Sequence, residues 1–222
     1  MVKYAVFDLD GTLLFTLESI LYHLNNTLTN NGLKRITLDE CCDFIGNGAR
    51  LLVSRAVSVS GVTDTEIVNK VLIEYNHAYN TDPLPYTYAY EGIDGLVDAL
   101  IERGVTVGVV TNKPEPTAVQ LIRHFFGNKV SFIRGGRAGA ILKPDPRDTL
   151  DALAAIGGTA AECAFIGDTS VDIATGKNMG AAVSIGVLWG FRTKEELLGA
   201  GADAVVTHPS EILGIIEKYE KN

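Results

Sequence analysis

Cysteine is scarce in this chain. Cys41, Cys42 and Cys163 are the only three in 222 residues, too few for a disulfide framework. Long hydrophobic runs are missing too: none approaches the ~18 apolar residues of a membrane-spanning helix, so no membrane partner is expected. The N-terminus enters a strand pattern within two residues, without the charged-then-apolar order of a signal peptide. Cytoplasm is the expected compartment. Basic charge is also in deficit, with 19 Lys and Arg against 27 Asp and Glu and a net charge of −8. Phosphate backbones require clustered cations, which disfavours nucleic acid as the main partner. A small phosphorylated metabolite stays admissible, because a metal and a few placed cations can make a local site attractive inside an acidic protein. Internal repeats and low-complexity tracts are absent.

What remains is an ordinary globular composition, 46% apolar. The length suits one domain, or one core domain carrying an inserted subdomain, as a monomer or homodimer. Disorder is expected only from Lys218 to Asn222. From about Thr16 to Asp82 the pattern is helical. Leu17, Ile20, Leu21, Leu24 and Leu28 form one stripe, Ala49, Leu52, Val53, Ala56 and Val57 a second, and Ile67, Val68, Val71, Leu72, Tyr75 and Tyr79 a third. After Asp82-Pro83-Leu84-Pro85, strands and helices alternate. Strands are expected at Val105–Val110, Ala164–Ile166, Ala182–Val187 and Ala204–Val206, and a short apolar stretch lies at Val130–Ile133. Helices are expected around Ile93–Ile101, Ala118–Phe126 and Ile212–Tyr219. Asp145 is expected to cap another helix, with Pro146 first and Leu150, Leu153 and Ala154 inward. Thr193 and Glu196 have capping-box spacing.

Such alternation implies an α/β fold, a doubly wound parallel sheet. The expected division is a core of residues 1–15 and 83–222 with an α-helical cap of residues 16–82 inserted after the first strand. Ligands of such sheets bind outside the carboxyl ends of the strands.

Those ends carry the chemistry. The first apolar strand, Tyr4-Ala5-Val6-Phe7, runs into Asp8-Leu9-Asp10-Gly11-Thr12-Leu13. Two ionised carboxylates one residue apart at the end of a buried strand repel each other and resist desolvation. A divalent cation between them, or a proton on one, makes the pair tolerable. The next clear strand ends at Thr111-Asn112-Lys113, a loop holds Leu142-Lys143-Pro144, and a later strand ends at Gly167-Asp168-Thr169-Ser170-Val171-Asp172. Taken one at a time, Thr111, Asp168 and Asp172 can be helix caps or first-turn acids, and Lys143 a surface lysine. Their recurrence after successive strands argues for a single site.

In order and spacing these segments resemble the four motifs of the haloacid dehalogenase superfamily, over essentially the whole chain. The resemblance implies phosphoryl transfer through an aspartyl-phosphate, with Asp8 as nucleophile and Asp10 as the acid and then the base. It implies Mg²⁺ held by the Asp8 carboxylate, the Asp10 backbone carbonyl and Asp168. Lys143 would neutralise the nucleophile, and the Thr111 hydroxyl and Asn112 backbone would donate to the phosphoryl group. Asp172 would hold Lys143 or a metal-bound water. Gly11 permits a sharp turn that exposes backbone N–H groups to phosphate oxygens.

Cap and C-terminal segments narrow the resemblance. Gly46-Asn47-Gly48-Ala49 and Trp189-Gly190-Phe191-Arg192 look like those of phosphoglycolate phosphatases. Gly48 would open a helix whose free N–H groups bind the substrate carboxylate, with Asn47 in the same turn and Arg50 assisting. The alternative is that Asn47-Gly48 is only a turn. Gly46-Asn47-Gly48 lacks the strand and third glycine of a nucleotide-binding loop. Phe15-Thr16 departs from the Asp-Ser common in relatives, which leaves catalysis intact and the substrate less defined. Other readings are a β-phosphoglucomutase-type mutase, whose cap-loop arginine is replaced by Ala49, a pyrophosphatase, or a phosphorylatable signalling receiver. His23, His77, His124 and His208 are scattered without ligand spacing, and Cys163 is expected to pack.

Overall fold

The computed structural model describes residues 1–220. The chain opens with β1 (Tyr4–Phe7) and β2 (Leu14–Phe15), followed by α1 (Leu17–Asn30), α2 (Leu38–Phe44), α3 (Ala49–Ser58) and α4 (Thr65–Thr81). Next come β3 (Tyr88–Ala89), α5 (Ile93–Glu102), β4 (Thr106–Pro114), α6 (Glu115–Phe126), β5 (Phe132–Gly136) and α7 (Arg147–Ala154). Finally there are β6 (Cys163–Gly167), α8 (Ser170–Met179), β7 (Val183–Val187), α9 (Lys194–Gly199), β8 (Ala204–Val206) and α10 (Ser210–Glu220).

Six strands form a parallel sheet in the order β5-β4-β1-β6-β7-β8. β1 is central, and Ala5, Val6 and Phe7 are fully buried. A strand apolar on both sides needs cover on both faces. Side chains of α5, α6 and α10, including Leu96, Leu121 and Ile212, pack on one face. Leu153 of α7 and Met179 of α8 pack on the other, against Phe165. The register sets the site. Phe7 pairs with Val109 and Ile166, so Asp8, Thr111 and Asp168 leave the sheet along one edge. The strand order reverses around β1, where doubly wound sheets open a crevice.

Helices α1–α4 are inserted between β2 and β3 and surround their own apolar cluster, with Leu24, Leu28, Val53, Ala56 and Val71 buried. Each expected stripe becomes one of these helices. The sequence reading did not resolve α2, whose seven residues bury only Cys41 and which is set by a Thr37–Glu40 capping box. It also missed the antiparallel pairing of β2 with β3, two residues each, too short for any alternation to register.

Some boundaries shift. α7 begins one residue late: Pro146 is its cap, and Asp145 Oδ1 accepts from Arg147 N at 3.0 Å. Leu153 is buried as expected, Leu150 is half-buried, and Ala154 is exposed, with Ala152 inward instead. At α9 only half of the box forms, because Glu196 turns to Ser170 Oγ at 2.7 Å while Thr193 still accepts from Glu196 N. Lys218 and Tyr219, expected to be disordered, continue α10; residues 221 and 222 lie outside the described residues.

Candidate active site

Asp8 follows the last residue of β1 and is buried. Lys143 Nζ donates to its Oδ1 at 2.6 Å and, also at 2.6 Å, to Asp172 Oδ1. This lysine is buried between its two acceptors. Burial alone pulls its pKa down, but the Asp172 and Asp8 carboxylates outweigh that and raise it. Lys143 is therefore firmly cationic. Asn112 fixes the backbone beside it: Lys143 N donates to Asn112 Oδ1 at 2.8 Å, and Asn112 Nδ2 donates to Lys143 O at 3.1 Å. The same Nδ2 donates to Gly46 O at 3.0 Å, tying the insert to the sheet edge.

Asp168, fully buried at the end of β6, accepts from Thr12 Oγ1 at 3.0 Å and from Phe191 N at 2.9 Å. Neither partner carries charge. Burial, then the nearby Asp172 and Asp8, drive its pKa far above the ordinary carboxylate range. Burial likewise raises Asp8 to about 7, with Lys143 opposing. Asp172 spends its second oxygen on Thr169, accepting from its N at 3.0 Å and Oγ1 at 2.7 Å as the capping box of α8.

Oxygens of Asp8, Asp168 and Asp172 lie within 4.8 Å of one another. One ammonium stands against three buried carboxylates, and the hard oxygen donors suit a divalent cation such as Mg²⁺. The donor set therefore fits a metal. Asp172 belongs to this cluster as well as to Lys143, so the two roles considered for it are geometrically compatible.

Asp10 is set apart from the cluster. Its Oδ1 accepts from Thr16 Oγ1 at 2.7 Å and from Lys113 Nζ at 2.9 Å. Leu9 between the two aspartates is buried in the core, as strand alternation requires. Gly11 has φ +86°, and a Cβ there would meet Asp168 Oδ2 at 2.3 Å. Its own N–H donates to Leu14 O at 2.9 Å and is not free for a phosphate. The turn thus needs glycine to admit Asp168, a different reason from the exposed donor expected. Thr111 is buried, and its Oγ1 accepts from Lys113 N at 3.3 Å.

A cleft opens between this edge and the inserted helices. Asp8, Asp10, Thr111, Asn112, Lys143 and Asp172 line its floor. The roof is apolar, with Ile20, Ile45, Leu52 and Tyr75. Gly48 and Ala49 line it too, and Gly48 precedes α3 with φ +87° and no side-chain cap. Asn47 and Arg50 are exposed and are not brought to the cleft; Arg50 Nη2 donates to Asn69 Oδ1 at 2.6 Å on α4. A first-turn residue of α3 can point away from the axis end, and the α4 partner draws this one outward.

The sequence reading passed over two groups that meet Asp10. In the sequence Lys113 only closes a strand-end segment, and Tyr79 only continues the third helical stripe. Lys113 stands two residues beyond Thr111 in a strand, so the two share a face, a usable signal. Tyr79 had none. Trp189 Nε1 donates to Thr12 O at 2.9 Å, seating the Trp189–Arg192 segment on the aspartate turn.

A doubly wound sheet with buried acids and a lysine at its switch point defines a phosphoryl-handling class of site. The profile of the haloacid dehalogenase-like hydrolases matches residues 5–185, and the chain belongs to that family. It is 33% identical over 211 residues to a phosphoglycolate phosphatase of Rhodospirillum rubrum, covering 92% of this chain and 87% of that one. A phosphoglycolate phosphatase of Agrobacterium fabrum is 32% identical, covering 84% and 81%. The crystal structure of a predicted phosphoglycolate phosphatase from Haemophilus somnus superposes with TM-score 0.89 at 25% identity, covering 96% of this chain and 97% of that one.

Proposed function

We propose that this hydrolase cleaves small phosphomonoesters, 2-phosphoglycolate first among them, through an aspartyl-phosphate on Asp8, with residues 16–82 acting as the cap over a core of 1–15 and 83–222. The observation that carries the reading is the pairing of Asp8, neutralised by Lys143 at 2.6 Å, with Asp10, whose two donors both sit on Oδ1. Asp10 Oδ2 is thereby left for proton transfer.

In the first step an Asp8 oxygen attacks phosphorus and the ester P–O bond breaks, while Asp10 gives its proton to the leaving oxygen. In the second, Asp10 takes a proton from water, whose oxygen attacks the phosphoryl group and releases inorganic phosphate and the Asp8 carboxylate. Lys143 offsets the charge of the nucleophile and of the transferring group in both steps. The Thr111 hydroxyl and the Asn112 backbone orient phosphoryl oxygens. Asp8, the Asp10 carbonyl and Asp168, supported by Asp172, would hold Mg²⁺, which when bound supplies Lewis-acid stabilisation of phosphoryl oxygens.

The apolar roof supports a substrate with a single phosphate. A mutase cap needs a cation of its own for a second phosphate, and Ala49, where the cap-loop arginine is expected, offers none. Together with the relatives named phosphoglycolate phosphatase, this favours a short carboxylated ester. No described helix is long and apolar enough to cross a membrane.

A phosphate-release screen over 2-phosphoglycolate, hexose phosphates, nucleotides and pyrophosphate, with and without chelator, tests the reading. Release is expected to be fastest from 2-phosphoglycolate and to disappear with chelator or in Asp8→Asn. Undiminished turnover by Asp8→Asn sinks the nucleophile assignment.

A further inference from the structure

Two lysines line the cleft, and the mechanism above uses only one. Lys143 donates to Asp8 and Asp172 and serves the nucleophile. Lys113 has a different setting. Its side chain is 2% exposed, and Nζ lies 2.9 Å from Asp10 Oδ1 and 2.8 Å from the Tyr79 hydroxyl of α4. An ammonium carries three donors, and among the described residues the third has no protein acceptor. A buried ammonium on a ligand cleft, with one donor unspent, is placed to receive an anion.

The position says which anion. Asp10 addresses the leaving-group oxygen, so Lys113, one hydrogen bond from Asp10, stands on the leaving-group side and not on the phosphoryl side. In a phosphorylated α-hydroxy acid the carboxylate is one carbon from the ester oxygen, within reach of that ammonium. The roof opposes it with apolar side chains. The N-terminus of α3 contributes only a partial charge, on the order of half a unit, against the full charge of a lysine.

We infer that Lys113 is the specificity-determining residue that receives the second anionic group of the substrate, and that the class it selects is the phosphomonoester of a short α-hydroxy carboxylate. The inference rests on the phosphomonoesterase reading above.

The experiment compares the wild type with Lys113→Met on 2-phosphoglycolate and on ethyl phosphate, which has the same length with methyl in place of carboxylate. Phosphate release is followed at saturating Mg²⁺. Because Lys113 also touches Asp10, the readout is the ratio of kcat/KM for the two esters. Loss of one charge-assisted hydrogen bond is expected to lower that ratio roughly 10- to 100-fold. A ratio equal to that of the wild type overturns the inference, since Lys113 then acts only by holding Asp10. If Lys113→Met does not fold, Lys113→Gln serves with the same expected fall and the same overturning result. A wild type with no preference between the esters overturns the inference and leaves the phosphatase reading standing. Release from neither ester overturns that reading itself.

Discussion

Asp168 illustrates how tightly neighbouring side chains define this site. Its side chain is wedged between Gly11 and Gly190: a Cβ on Gly11 would come within 2.3 Å of Asp168 Oδ2, and one on Gly190 within 2.5 Å of the same oxygen. Gly11→Ala adds that clash to a positive φ that alanine resists, and is expected to cost at least about 1 kcal/mol. Urea unfolding checks this, and a midpoint equal to that of the wild type refutes it. The thiols divide by burial. Cys41 and Cys163 are buried and pushed up to about 12, so both are poor nucleophiles at neutral pH. Cys42 is half-buried; burial raises it as well, with Arg192 opposing. Titration of the native protein with an aromatic disulfide reagent should therefore show one fast thiol and two slow ones. Three equal rates would contradict that division.

Among the elements, α2 depends most on its partners. It buries little of its own, and its C-terminal carbonyls are held from outside: Arg192 Nη1 donates to Cys42 O at 2.9 Å, and Arg55 Nη1 to Phe44 O at 3.0 Å. Arg192 comes from the sheet side, after β7, so it fastens the insert to the core. Arg192→Ala should speed amide exchange in α2 roughly tenfold while leaving α10 untouched, the consequence of losing a hydrogen bond to a charged donor. Unchanged exchange in α2 counts against the clasp. This element was also the one the sequence concealed, for the same reason: seven residues with one buried side chain carry no periodic stripe. α8 was not among the expected helices, since Asp172, Thr175 and Gly176 are buried alongside Ile173 and blur any polar face, and its cap is Thr169 rather than Asp168. The long stripes of α1, α3 and α4 were plain because each buries a continuous apolar side in one cluster.

Taken whole, the molecule gathers uncompensated negative charge at the point where its two halves meet. Asp8 has an ordinary value of 3.8 and a folded value of about 7. Between those values the native state binds more proton than the unfolded chain, so metal-free stability falls as pH rises from about 4 to 7. Asp168 acts in the same direction. Mg²⁺ competes with those protons and should raise Tm more at pH 7.5 than at pH 5, while the chelated Asp8→Asn variant should show a flatter decline than chelated wild type. Calorimetry at the two pH values checks both statements. An equal Mg²⁺ shift at both pH values argues against the acidic cluster as the metal site.

The kinds of residue and their order along the chain were legible without coordinates, because apolar period, caps and strand-end polarity are local properties. They placed Asp8, Asp10, Asp168, Asp172 and Lys143 on one edge through a general rule of parallel sheets. Tertiary structure alone decided who meets whom. Lys143 reaches Asp8 across 135 positions, Lys113 reaches Asp10 across 103, and Asn112 reaches Gly46 across 66. Register and closure of the insert create those contacts, and neither is encoded in any short stretch of chain. For the same reason Arg50, credible by spacing, turned to Asn69, while Lys113, quoted without a role, entered the cleft.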